Sequence, residues 1–553
     1  MRMVSGILLW KGSMGLGLLF IGLLCLVLLN SCEEKEPEIL SIDPRIGRLG
    51  DVLTIRGSGF GDERNESYVS IAGIPPTSSS YISWNDEEIS VIIPEFGDAG
   101  LVYVHRGRGK SNAVLFANEV HIPMFIEGQD TGNGPRISSV EPSSGPIGSL
   151  ITINGSNFGT SRENSGVYFS WDAEPSAAAQ GMNHPDFVEA FEAEFGYEFW
   201  NEREIRVRVP DGAVSGNLEV RTSRGNSRPH FFEIAGMPGT KVFLDKRSYS
   251  LSYMVDIHIE QASPPNTLYV WMPQPVVSAS QRNARLLSRS MEPFVEKHRD
   301  TSIFLLADAL SRTSREISLS YEVEVYAVET DIRNQNPIRL NRPSPIGTVF
   351  TLPSALVPSD DPGIKALAAE IIGRERLPYA KAMLIYRWLI SSAGIQAVPL
   401  SGGALEALEE RQADSYRAAL LFCALARAAE VPALPVAGVL VNSNRASTRH
   451  YWAEFWLDGF GWIPLDPVLG AGAAPAGFTL REDHAQYYFG NMDNQRIAFS
   501  RGEPLLSQMT PRGRMAQRSR DYSLQNLWEE AVGGLESYSS LWSDVTITHM
   551  YVQ

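Results

Sequence analysis

The stretch "HYWAEFWLDGFGWIPLDP", His450 to Pro467, decides the fold of the C-terminal half of the chain. Its two aromatic-rich runs, broken by glycine, read as strands. The preceding stretch, "RQADSYRAALLFCALARAAEVPALPVAG", Arg411 to Gly438, places Ala and Leu at the i, i+3, i+4 spacing of a helix and then passes into the strand-like "LPVAGVLV". Further upstream, "DPGIKALAAEIIG" and "LPYAKAMLIYRWLISSAG" carry the same helical spacing. The order is therefore helices first, then a β-meander holding a histidine and, at its end, an aspartate.

The rest of the chain is long enough for several cores. With 553 residues, three or four domains are expected. Hydrophobic residues at 43% and charged residues at 20% are ordinary globular values, which excludes long disorder. A net charge of −16 and the absence of any basic stripe argue against nucleic acid as a partner. The nine histidines are scattered, none with a Cys or a second His at ligand spacing, so neither a metal nor another cofactor is expected.

At the N-terminus, Arg2 and Lys11 precede an uncharged apolar run, Gly12 to Ser31, that ends in "LLNSC" at Cys32. This ending resembles a bacterial lipobox, with Leu29 three positions before the Cys and the small Ser31 directly before it. The resemblance implies removal of a signal peptide, residues 1–31, and lipidation of Cys32. The mature chain would then be anchored to a membrane on the extracytoplasmic side, in the cell envelope. Glu33, Glu34 and Glu36 would serve as a solvated tether. Of the three cysteines, Cys25 leaves with the signal and Cys32 carries lipid, so Cys423 is left without a disulfide partner.

Behind the tether the chain repeats itself. "PEILSIDPRIGRLGDVLTIRGSGFG" (Pro37 to Gly61) and "PRISSVEPSSGPIGSLITINGSNFG" (Pro135 to Gly159) share Pro44 with Pro142, Gly47 with Gly145, Gly50 with Gly148, Gly57 with Gly155 and Phe60 with Phe158, always 98 positions apart. Trp84-Asn85 and Ile89 recur as Trp200-Asn201 and Ile205 at 116 positions, so the second copy carries 18 extra residues, placed around "HPDFVEAFEAEFGYEF". Short alternating runs such as "VLTIRG" and "IRVRVP", broken by Gly and Pro, predict a small β-sandwich for each copy. The glycines are expected at turns with positive φ, and Phe60 and Phe158 as core plugs. The motif resembles the IPT/TIG family of immunoglobulin-like domains, over residues 37–118 and 135–235. That resemblance implies spacer, carbohydrate-binding or protein-contact roles and no chemistry. Trp84, Trp200 and the aromatics of the insertion read either as a ligand surface or as core and edge filler.

Alternation in "SYSLSYMVDIHIE", "NTLYVWMPQP" and "REISLSYEVEVYAVE" predicts a third antiparallel β domain over 241–335. A tail, 503–553, is expected to mix a basic loop, one amphipathic helix over "LQNLWEEAVGGL" and a terminal strand over "VTITHMYV".

Between them, residues 355–502 resemble a transglutaminase-like domain, an α+β core of the papain-like kind. His450, Trp452 and Glu454, then Gly461-Trp462, then Asp466-Pro467 follow that family's H-x-W-x-E, G-W and D-P pattern, with "ALLFCALARAAEVPALPVAG" supplying the helix and turn. The resemblance implies a thiol at a helix N-terminus, where the helix dipole and an imidazole favour the thiolate. It assigns the imidazole to His450 and the orienting carboxylate to Asp466. With Arg427 and Pro432 as anchors, the G-x-C position falls on Ala413-Asp414-Ser415, so Ser415 stands where the nucleophile belongs. Cys423 lies eight positions further along, roughly 12 Å at ~1.5 Å per residue, on an apolar face. It is expected in the core, away from the dipole. Trp452 and Trp462 read as core packing, compatible with an aromatic wall beside the nucleophile.

Three functions follow as expectations. The first is a pseudoenzyme, a degenerate domain that binds a protein, peptide or glycan ligand of the cell envelope. The second is a Ser-His-Asp hydrolase or acyltransferase acting on amide or ester bonds, with Ser415, His450 and Asp466 as its catalytic residues. The third is a surface adhesin or scaffold in which catalysis plays no part; a His450→Ala variant that kept binding would mark it.

Overall fold

The computed structural model describes residues 37–118, 134–171 and 187–552, apart from positions 45, 48–49, 72, 95–98, 108, 163, 336–339, 341, 343 and 519. The leader, Cys32, the acidic tether and residues 172–186, which hold the start of the stretch around the insertion, lie outside the described residues. The chain divides into two compact units, one formed by the first repeat and one holding everything from Ala117 onward.

Each repeat is a two-sheet sandwich with the same strand order. In the first, strands 38–43, 52–58, 88–92 and 81–84 are neighbours in that order; in the second, strands 136–141, 150–156, 204–208 and 197–200 are. Even the irregularities coincide: the register slips between Ile39 and Ser41 and again between Ile137 and Ser139. Phe60 and Phe158 are fully buried, and each backbone carbonyl accepts a hydrogen bond from the indole of Trp84 or Trp200. The signature glycines have two different reasons. Gly50 and Gly148 adopt positive φ, as expected. Gly57 and Gly155 do not: a Cβ on Gly57 would lie 1.9 Å from the Glu38 carbonyl oxygen, and one on Gly155 2.0 Å from that of Arg136. There the chain needs close approach of two backbones, not unusual torsion.

Downstream strands are numbered from the third β domain. Strand β1 (Gly239–Pro273) runs antiparallel to β5 (Thr313–Ile332) and β4 (Thr301–Ala307), with β2 (Gln281–Arg289) and β3 (Val295–His298) outside them. The core adds α1 (Pro345–Val349), α2 (Pro362–Ile372), α3 (Pro378–Ser392), α4 (Ala404–Glu410) and α5 (Ser415–Ala428). The helical spacing expected from Arg411 onward is taken up only at Ser415, because Arg411 takes a left-handed φ of 53° and Asp414 starts α5 as its N-cap. A four-stranded antiparallel sheet follows, in the order β8 (Gly461–Leu465), β7 (Ser447–Leu457), β6 (Ala433–Val441), β9 (Arg496–Arg501). Short helices α6 (Pro467–Gly470) and α7 (His484–Tyr487) connect β8 to β9.

The expected helix over "LQNLWEEAVGGL" is absent. From Glu529 the chain is β10 (Glu529–Trp542), which pairs with β1, and β11 (Thr546–Val552) pairs with β1 as well. Gly533 and Gly534 penalise a helix by about 1 kcal/mol each, and here they are required: Gly533 has φ 69°, and a Cβ on Gly534 would meet the Ser263 carbonyl oxygen at 2.1 Å. The C-terminal tail therefore completes the third β domain.

The second repeat shares a hydrophobic core with the transglutaminase-like sheet and the third β domain. Ile147, Val209 and Phe158 of the repeat, Phe243 and Tyr326 of the β domain, and Trp452, Trp456 and Trp462 of the sheet belong to one buried cluster. Lys241 Nζ donates to Asp211 Oδ1 at 2.5 Å and to the Trp462 carbonyl at 2.7 Å, while Arg501 bridges Glu194 and Glu454. Phe195 packs edge-on against Phe350, with ring centroids 6.4 Å apart. Phe195 is thus a docking element, and the second repeat is no loose spacer. Replacing Asp211 by Ala strands the buried Lys241 ammonium. The expected loss is about 3–5 kcal/mol in denaturant unfolding of the second unit, and a loss below ~1 kcal/mol would remove this ion pair from the account of docking.

Candidate functional site

The sheet separates two packing environments, and strand parity decides which side chain meets which. Along β7, Tyr451, Ala453 and Phe455 point to the face covered by α5, where they share a cluster with Ala418, Phe422 and Leu425. His450, Trp452 and Glu454 point the other way. The ring of His450 stacks on Trp452 with centroids 6.4 Å apart, and Arg496 lies over the other ring, 5.0 Å from its centroid.

His450 and Asp466 come together as expected from the sequence. His450 Nε2 lies 2.7 Å from Asp466 Oδ2, and both residues are buried. Asp466 directly follows β8 and caps α6, so its Oδ1 accepts the backbone N–H groups of Val468 (3.1 Å) and Leu469 (3.0 Å). Oδ2 also accepts from Arg496 Nη1 at 3.0 Å, and Arg496 is held in turn by Asp493 at 2.7 Å. Burial alone would raise the Asp466 pKa. The His450 charge and hydrogen bond, the Arg496 charge and the Leu469 N–H outweigh it and hold the carboxyl at about 2. His450 spends Nε2 on this contact and makes no hydrogen bond through Nδ1 among the described residues.

Ser415 is placed differently. It is the first residue of α5, half-buried, and its Oγ makes no hydrogen bond among the described residues, to His450 or to any other group. The residues beside the two do touch: the rings of Tyr416 and Tyr451 meet edge to face at 4.9 Å. Asp414 occupies the helix N-terminus, its Oδ1 accepting from Arg417 N–H (3.0 Å) and its Oδ2 from Leu400 N–H (2.8 Å) and Arg520 Nη1 (3.0 Å). A full negative charge thus stands where the helix offers only about half a positive one. Cys423 is fully buried in α5, and burial pushes its thiol up to about 12. Trp462 is buried against Phe350 and Trp456, with Arg501 over its ring.

Sequence reasoning missed Arg496 and Arg520. Arg496 carries a local signal, a lone cation opening the apolar run "RIAFS". Arg520 carries none, because it reaches Asp414 from 106 positions away. Among the described residues, no three of His, Cys, Asp and Glu are grouped as a metal site would need.

Comparison with known proteins agrees with this architecture. Residues 365–467 match the transglutaminase-like superfamily, and residues 37–117 and 135–173 match the IPT/TIG domain. An uncharacterized protein of Haemophilus influenzae is 27% identical over 171 residues, covering 25% of this chain and 46% of its own. Cyclomaltodextrin glucanotransferase of Paenibacillus macerans is 30% identical over 115 residues, 19% of this chain and 16% of its own. The chain spans less than half the length of these curated relatives. Among solved structures, a candidate cysteine protease from Cytophaga hutchinsonii gives a TM-score of 0.37 at 17% identity, covering 57% of this chain and 92% of that one.

The depressed pKa of Asp466 ties stability to pH. Because the folded value lies below the ordinary one near ~3.9, the stabilisation is complete above about pH 4 and is lost as pH falls towards 2. An Asp466→Asn variant is expected to unfold about 3 kcal/mol more easily at pH 7 and to converge on wild type as pH approaches 2. Parallel denaturation curves at all pH values would contradict this.

Proposed function

We propose that this protein is a lipid-anchored cell-envelope binding protein whose transglutaminase-like domain keeps the fold but works as a pseudoenzyme, taking a peptide, glycopeptide or glycan ligand. The carrying observation is the state of the nucleophile position. Ser415 Oγ has no hydrogen bond to His450, and Asp414 places a carboxylate at the very helix end that would have to favour an anion. An alcohol lacks the acidity that lets a thiol ionise beside an imidazole, so it requires a base in contact at the moment of attack. The one thiol in the described part of the chain, Cys423, is inaccessible and remains protonated. The His450–Asp466–Arg496 array then acts as a clamp joining β7, β8 and β9, which accounts for its retention without catalysis.

One observation favours a second reading, a Ser-His-Asp hydrolase or acyltransferase. Asp466 fixes the imidazole through Nε2 and leaves Nδ1 unengaged, the division of labour that a general base needs. In that reading Ser415 attacks the carbonyl carbon, His450 takes the hydroxyl proton and passes it to the leaving group, and the Ser415 N–H at the start of α5 helps hold the oxyanion.

Labelling the purified protein with a fluorophosphonate and mass-mapping the adduct separates the two. The pseudoenzyme reading expects no adduct on Ser415 in wild type or in His450→Ala. An adduct that wild type forms and His450→Ala does not would overturn it in favour of an activated serine. The anchor is tested separately with a clickable palmitate analogue. Wild type should carry the label in the membrane fraction and Cys32→Ala should lose both label and fraction; a soluble, unlabelled wild type refutes anchoring.

A further inference from the structure

On the face of the sheet turned away from α5, the docked second repeat and the third β domain leave a cavity of about 50 Å³. Its wall takes Asp211 from the second repeat, Phe243 and Tyr326 from β1 and β5, and Trp452, Glu454 and Trp462 from β7 and β8. Space of this size holds roughly three to five groups as large as a water molecule, at about 10–15 Å³ each. Lys241, Ser280, Glu454, Asp493 and Arg501 are half-buried where the rest of the wall is buried, so the cavity is approached from its charged side. Each cation of the wall is already bound to a carboxylate of the same wall: Lys241 to Asp211, Arg501 to Glu454 and Arg496 to Asp493. The lining therefore carries no net charge and suits a neutral occupant better than an ion.

Two polar groups of this wall are left over. Trp462 is buried, and its Nε1–H has no hydrogen-bond partner. Glu454 accepts from Nε and Nη2 of Arg501 through Oε2 alone, and its Oε1 accepts nothing among the described residues. One unmet donor and one unmet acceptor thus line the same small space, where a buried polar atom without a partner is costly. Their spacing is set by the ladder. Glu454 pairs with Pro464 and Trp456 with Trp462, which makes Glu454 and Trp462 diagonal neighbours on one face of the sheet, with backbones roughly 7–8 Å apart. A single amide group bridges such a pair, because its N–H and C=O point in opposite directions: the N–H donates to Glu454 Oε1 and the carbonyl accepts from Trp462 Nε1. The rings of Trp452, Phe243 and Tyr326 give the same cavity apolar surface for a methyl group.

We propose that this cavity receives the acetamido group of an N-acetylated sugar, with Trp462 as hydrogen-bond donor and Glu454 as acceptor, which rests on the reading of the chain as an envelope protein that takes a glycan or glycopeptide but not on the state of Ser415. The methyl, carbonyl and N–H of one acetamido group fill the room available, and the sugar ring stays outside at the charged side. A peptide bond within a chain continues on both sides, whereas the cavity has room for the group alone. A Gln or Asn carboxamide brings a second N–H and no methyl, so it leaves a donor unmet and the aromatic wall uncovered.

Two neutral sugars titrated into the purified full chain decide it: N-acetylglucosamine, and glucose, which lacks the acetamido group. Calorimetry on wild type is expected to show saturable binding of N-acetylglucosamine and binding of glucose weaker by about tenfold or more, the effect of leaving one buried hydrogen bond unmade. In protein labelled with 15N-tryptophan, the indole N–H resonance that Trp462→Phe removes is expected to shift with N-acetylglucosamine and to stay in place with glucose. Trp462→Phe itself keeps a ring but no donor and should bind N-acetylglucosamine about tenfold more weakly; the wild-type titrations stand without it if that variant does not fold. Absence of saturable binding leaves the cavity to water and overturns the proposal. Equal affinity for the two sugars, or shifts confined to other indoles, overturns it as well. Tighter binding of Nε-acetyl-lysine than of N-acetylglucosamine moves the acetamido group onto a polypeptide and refutes the glycan assignment. A fluorophosphonate adduct on Ser415 overturns the pseudoenzyme reading and leaves these titrations unchanged, so the two failures are distinguishable.

Discussion

The Asp466 carboxylate is the contact on which the core's arrangement turns. Its two oxygens accept four hydrogen bonds, from the His450 ring, the Arg496 guanidinium and the backbone N–H groups of Val468 and Leu469. Four donors are what a buried carboxylate needs to remain ionised without water. Because those donors come from β7, β9 and α6, one side chain fixes three elements, and the aromatic rings of Trp452 and Tyr488 flank the Arg496 that completes the set. Removal of any one partner leaves a buried charge unanswered, which makes the array cooperative whether or not it serves chemistry.

Around that array the molecule has been assembled from pieces that are discontinuous in sequence. The third β domain is completed by β10 and β11, which begin almost 200 residues after β5 ends, and the second immunoglobulin-like repeat contributes to the same hydrophobic cluster as the sheet's tryptophans. At Gly461 a Cβ would fall 2.1 Å from Asp211 Oδ1, so the repeat's carboxylate occupies space that only a glycine leaves open. The second repeat thus functions as a buttress for the sheet. The first repeat is a separate compact unit with the same sandwich.

At the nucleophile position the structure weighs against activation. The advantages that a helix N-terminus and an imidazole confer on sulfur are electrostatic, and they act on a group that can carry charge near neutral pH. Here the group is a hydroxyl, and Asp414, which caps the helix end, is itself paired with Arg520. With Arg520 offsetting Asp414, this end of α5 keeps only the partial positive charge of the helix itself, too little to ionise an alcohol.

The sequence by itself determined what depends on neighbours in the chain. Period-two and period-3.6 patterns placed the strands and most helices, the 98-residue offset of the repeat predicted two copies of one sandwich, and the resemblance to the transglutaminase-like pattern named His450 and Asp466, a pair that meets at 2.7 Å. It also placed Cys423 in the core, where it lies. Tertiary structure alone decided the rest. The stretch "LQNLWEEAVGGL" carries apolar spacing that a helix would use, and only the open edge of β1 makes a strand the better solution. Likewise Arg520, Arg496 and Asp211 act through partners 106, 30 and 30 positions away. Local propensity acts over a few residues, whereas a buried charge is satisfied by whatever the fold brings within about 3 Å, and that proximity exists only once the chain is packed.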